Sequence, residues 1–77
     1  MQKFRKKVIE LEAVQWFKDG DHPLVVVDEN GQGRIQTDSG LQNVNPGDWI
    51  IAGLGGEHYP CSDVKFKELY EPVPVGQ

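Results

Sequence analysis

Seventy-seven residues, 38% hydrophobic and 26% charged, suffice for a single domain spanning 1–77; at this size only about 60% of the unfolded surface is buried, so the core is thin. A formal net charge of −4, with twelve acidic against eight basic residues, argues against nucleic acid as the main partner, because Lys and Arg on phosphates supply most of that affinity. The lone cysteine excludes an internal disulfide, no Cys/His set has zinc-finger spacing, and no apolar run approaches the roughly 20 residues that span a bilayer.

The charge is unevenly placed. Residues 1–7 carry Lys3, Arg5, Lys6 and Lys7 and no acid, and read as a basic, solvated arm ahead of a strand. Glu10 and Glu12 interrupt the adjoining apolar stretch, so no signal segment forms and the expected setting is cytosolic, in keeping with one unpaired thiol. From Val8 to Trp16, alternation at Ile9-Glu10-Leu11-Glu12-Ala13 predicts a half-buried strand with Ile9, Leu11 and Ala13 inward. Lys18–Pro23 is a loop, broken by Asp-Gly and by the proline after His22. Leu24–Thr37 predicts strand, turn, strand, with Asn30-Gly31 a hairpin dipeptide in which both residues tolerate positive φ. Asp38–Gly40 makes another turn and Leu41–Val44 a short strand.

Asn45-Pro46-Gly47-Asp48 has the residues of a type II turn: Pro presets φ at the first central position and Gly supplies positive φ at the second. Asp48–Gly53 leaves as a strand, Leu54–Gly56 turns, and Glu57–Cys61 returns. A three-residue loop places Ile51 opposite Tyr59 and Trp49 opposite Cys61. A two-residue loop shifts the register and flips a whole face. The first is preferred. Pro60 cannot donate to a ladder, so its strand is an edge or ends there. Ser62 caps a helix of about two turns, with Asp63 in its first turn and Phe66, Leu69 and Tyr70 on one face. Pro72 and Pro74 end it, leaving 72–77 as a flexible tail. The expected fold is mainly β (α+β): a small antiparallel sheet or partly open barrel of five to six short strands, with one short C-terminal helix.

Residues 45–66 concentrate the reactive side chains. His58 and Cys61 invite a nucleophile–base reading, but residues three apart on a strand point to opposite faces; Cys61 reads better as a small buried hydrophobe and His58 as a partly exposed strand residue. Asp48, Glu57 and Asp63 each have a local structural job, and no metal-binding pattern links them. Gly53–Gly56 fits no phosphate-loop motif and reads as a hairpin turn, whose amides leave a small place for an anion. Trp16 and Trp49 suit either the core or a binding surface.

Two stretches carry a resemblance. "RKKVIELEAVQW" near the start and "PGDWIIAGLGGEHYPCSDVKFKELYEPV" toward the end are similar to a group of small phage and prophage proteins, which read R-K-K-P-V-x-I-E-A-x-Q-W and then P-G-D-W-I-I-x-G-x-x-G-E-x-Y-P-C-x-P-D-I-F-x-x-T-Y-E. Pro46, Gly47, Asp48, Trp49, Gly56, Glu57, Tyr59, Pro60, Cys61, Asp63, Phe66, Tyr70 and Glu71 all fall in place. Val8–Leu11 stands where a Pro-containing stretch is usual, Ser62 replaces a Pro and Val64 an Ile. The resemblance implies a phage- or prophage-encoded protein acting in the bacterial host cytoplasm; it implies no activity.

These features suit a non-enzymatic binding module without cofactor, metal or catalytic residues. It would associate with itself and with a host or phage protein through Trp16, Trp49, His58 and Tyr59, with free strand edges recruiting partners. Two alternatives are a nucleotide-type ligand held by turn amides, an aromatic ring and Arg34 or Lys65, and a role in virion assembly. Membrane and nucleic acid are not expected partners.

Overall fold

The computed structural model describes residues 1–4 and 10–73. Its elements are β1 (Glu12–Gln15), β2 (Val26–Val27), β3 (Gly33–Thr37), β4 (Gly40–Val44), β5 (Trp49–Ala52), β6 (His58–Cys61) and α1 (Asp63–Leu69). They form two three-stranded antiparallel sheets, ordered β1-β5-β6 and β2-β3-β4, with no closed barrel. The expectation of a mainly β fold with five to six short strands and one short C-terminal helix holds, with six strands. Val8 and Ile9 of the expected first strand lie outside the described residues, as do Arg5–Lys7 of the basic arm and residues 74–77 of the tail.

The core lies between the sheets. Trp16, Val25, Ile35, Val44 and Ile50 form one buried cluster, with Val27 packed against it. β6 is the strand of the first sheet that lies against β3 and β4. Burying this set supplies the main stabilising term for a chain with no crosslink.

Turn chemistry sets the registers. Asp48 N–H donates to the Asn45 carbonyl at 2.9 Å and Gly47 has φ +96°, the type II geometry expected of Asn-Pro-Gly-Asp. The β5–β6 loop has three residues: Gly53 N–H donates to Glu57 O at 2.8 Å, and Ile51 pairs with Tyr59 and Trp49 with Cys61, the preferred register. The β2–β3 connection departs from expectation. Among the described residues, no residue other than glycine has positive φ, so Asn30 does not enter a primed turn. Instead Asp28 Oδ1 accepts from the Asn30 and Gln32 amides, each at 2.9 Å, and Asp28 N–H donates to Gln32 O. The carboxylate, gripping the loop from its first residue, makes a three-residue turn better satisfied than a two-residue one.

Between β1 and β2 the chain is tied down at both ends. Asp21 Oδ2 accepts from the Phe17 and Lys18 amides at 3.0 and 3.1 Å. His22 is buried, its Nδ1 accepts from Leu24 N–H at 3.1 Å, and its ring meets His58 edge-on at 5.8 Å. Burial, and then the neighbouring His58, hold the His22 pKa below its ordinary 6.5. Above that value the ring is neutral whether the chain is folded or not. Below it the unfolded chain takes up the proton first, and the folded state loses ground. The Tm is therefore expected to fall on acidification from about pH 7 to pH 5, above the carboxylate range. His22→Asn, whose side-chain oxygen can replace Nδ1 as acceptor, is expected to flatten that slope; calorimetric melts of both chains across this window check it.

Candidate interaction surface

The two faces of the first sheet do different work. Registers Ala13↔Ile51↔Tyr59 and Gln15↔Trp49↔Cys61 place these six residues on one face. Val14, Ile50 and Pro60 point the other way, toward the second sheet. Helix α1 lies over the first face. Ser62 caps it, accepting from Lys65 N–H, and Tyr70 ends it by returning to extended backbone.

An aromatic stack pins the helix down. The Trp49 and Phe66 rings are 4.2 Å apart and 5° from parallel, and Tyr70 continues the stack 5.1 Å from Phe66. Trp49 Nε1–H donates to Asp63 Oδ1 at 2.9 Å; Gln15 Nε2 donates to the same oxygen at 3.4 Å, and Lys67 Nζ pairs with Oδ2 at 3.1 Å. The Trp49 bond, then Lys67, hold the Asp63 carboxyl below the usual carboxylate range. Asp63, expected only to favour the helix start, thus ties that start to the sheet.

Between helix and sheet runs a groove of about 690 Å³. Leu11, Ala13, Trp49 and Ile51 form its floor. Phe66, Leu69 and Tyr70 form one wall, continued by Pro72 and Val73 of the tail. Its rim carries Glu10, Glu71 and Lys67, the last already paired with Asp63. The inward side of β1 therefore faces this groove rather than the inter-sheet core. The alternation at 9–13 gives a face but cannot say which layer covers it.

The four residues expected to form an interaction surface do not come together. Trp16 is 2% exposed and belongs to the core cluster. This corrects its assignment as a surface anchor: the chain leaves β1 at Trp16 and turns inward, tied by Trp16 N–H to the Asp48 carbonyl at 2.8 Å. Trp49 lines the groove. Tyr59 is half-buried on the same face, its phenol pushed up to about 12 by the neighbouring Tyr70 hydroxyl and then by burial. His58 is on the opposite face, against His22. Leu11, Ala13, Leu69, Tyr70, Pro72 and Val73 complete the groove without having been singled out for binding. Their signal was present, since the Phe66-Leu69-Tyr70 stripe runs straight into Pro72-Val73.

Among the described residues, the other reactive side chains stand apart. Cys61 shares the groove-side face of the sheet and His58 the other, and burial pushes the Cys61 thiol up, away from the thiolate. The Glu57 carboxylate folds over Gly53 and Gly55, so an anion at those turn amides would meet a negative charge. Arg34 is engaged with Asp28 at 3.2 Å. Among the described residues, no group of three or more His, Cys, Asp or Glu converges as a metal site, and no helix is long and apolar enough to cross a membrane. Compared with family models, with curated proteins and with solved structures, the chain matches none.

Proposed function

We propose that this chain is a non-enzymatic binding module that holds a protein partner in the groove between α1 and the first sheet. The observation that carries this reading is the groove itself: an apolar trough of about 690 Å³, lined by an aromatic stack and lying outside the inter-sheet core. Continuous apolar surface rimmed by charge is typical of protein–protein sites, and aromatic anchors supply most of the affinity in such sites. The similarity to small phage and prophage proteins supports a partner of host or phage origin, met in the bacterial cytoplasm.

Leu69 is 65% exposed on the groove wall, so Leu69→Arg is expected to leave the fold intact and abolish partner capture. Leu54→Arg, on the β5–β6 turn, is expected to leave capture unchanged. Quantitative mass spectrometry of bacterial proteins retained by the parent and the two variants reads this. Equal capture by the parent and Leu69→Arg overturns the reading.

A further inference from the structure

The first sheet has two edges, and they differ. Trp16 N–H donates to the Asp48 carbonyl and Gly53 N–H to the Glu57 carbonyl. By the alternation of an antiparallel ladder, the even residues of β1 therefore point their amides at β5, and the odd residues of β6 do so from the other side. Pro60 consequently presents its missing N–H at the outer edge of β6, which also lies against the second sheet. That edge is blunted. On β1 the outward-pointing groups belong to Ala13 and Gln15, and β1 pairs with only one strand among the described residues. It contains no proline, lysine or bulge to guard it. Each face offers one apolar residue: Ala13 lies on the groove floor, and Val14, on the other face, is 45% exposed.

The surroundings select the occupant. Glu10, just ahead of β1, and Glu12, at its start, are exposed, and Glu71 also lines the groove. A positively charged strand is attracted to these three carboxylates.

We infer that the open edge of β1 takes an extended segment of a partner protein as a fourth strand. Apolar side chains at every second position enter the groove beside Ala13, and lysine or arginine at the segment's ends faces Glu10, Glu12 and Glu71. This rests on the groove being the binding site, and adds how it binds and what chemistry it selects. Main-chain bonds to Ala13 and Gln15 give affinity, and the groove reads alternate side chains.

The probes are nine-residue synthetic peptides with valine, isoleucine or leucine at alternate positions, flanked by lysine pairs or glutamate pairs, and titrated against the full chain by fluorescence anisotropy. Lysine-flanked peptides are expected to bind at least about tenfold tighter than glutamate-flanked ones. N-methylation of every second peptide amide is expected to weaken binding at least about tenfold in one phase and leave it unchanged in the other, because only one phase faces the edge. Binding insensitive to the phase of methylation overturns strand addition while leaving groove binding intact; Leu69→Arg then reads the groove independently. Failure of every peptide to bind, or equal binding of both charge types, overturns the proposal. So does a dimer in light scattering that Ala13→Pro converts to monomer, because a second copy would then hold the edge.

Discussion

A Trp16→Ala chain is expected to be unfolded in water at 25 °C. Truncating a buried Trp costs about 3–5 kcal/mol, and a domain of this size has roughly 3–5 kcal/mol to lose. Trp16 packs with Val25, Ile35, Val44 and Ile50, four residues drawn from both sheets and the loop between them. The space it would vacate has little prospect of refilling. Its ring lies so close to Gly33 that a Cβ there would stand 2.8 Å from Trp16 Cη2 and 2.9 Å from the Val44 carbonyl oxygen. Glycine at 33 is thus a packing requirement of the indole, and backbone fixes the other side. One feature of Trp16 is unfavourable: among the described residues its buried Nε1–H has no hydrogen-bond partner, a state that costs about 1–3 kcal/mol. Trp16→Phe removes that orphan donor while keeping most of the ring. It is therefore expected to stay folded where alanine does not. Far-ultraviolet circular dichroism and urea titration of the three chains check this, and a cooperative unfolding transition in Trp16→Ala would show that the core closes without the indole.

The sequence was most legible where one residue has one physical job. Pro46-Gly47 can hardly form anything but its turn. Pro60 marks an edge because it has no N–H to donate. Ser62 caps because its hydroxyl can reach Lys65 N–H. The β5–β6 register followed from loop length, since Gly53 and Glu57 close a three-residue turn and every later pair is then fixed. Legibility failed where a residue had two local options and distant contacts chose between them. Asn30-Gly31 suits a two-residue hairpin, yet Asp28 captures the Asn30 and Gln32 amides and widens the loop. Trp16 and Trp49 are both aromatic residues at strand ends, and nothing within several residues of either separates core from surface. Gly33 and Val44 draw Trp16 inward, while Phe66 and Asp63 hold Trp49 under the helix. The groove was illegible for the same reason: Leu11 and Ala13 of its floor are far along the chain from its wall of Phe66, Leu69 and Tyr70, and the two meet only after the sheets have formed.

Trp49→Ala is expected to release α1 and leave the inter-sheet core standing, because Trp49 holds the helix from the face opposite that core. The helix has seven residues and buries none of them, and a helix this short is not stable by itself in water. It is held by the Trp49–Phe66 stack and by Trp49 Nε1–H on Asp63. Alanine removes both. Trp49 is not a member of the core cluster, whose strand residue from β5 is Ile50 on the opposite face. Loss of the stack therefore opens the helix as a local unit, below the free energy of global unfolding. Hydrogen exchange is expected to show residues 63–70 exchanging freely while the amides of Ile35, Val44 and Ile50 stay protected, and ellipticity at 222 nm should fall accordingly. Trp49→Phe retains a ring to stack on Phe66 but loses the Asp63 bond, and is expected to lie between alanine and the parent chain. With α1 released, the groove keeps its floor of Ala13 and Ile51 and loses the wall that selects side chains. Peptides should then bind Trp49→Ala more weakly and with less preference for apolar residues at alternate positions. Should exchange instead accelerate at Ile35 and Ile50 to the same extent as in the helix, then the stack and the core form one cooperative unit and the groove is not separable from the fold.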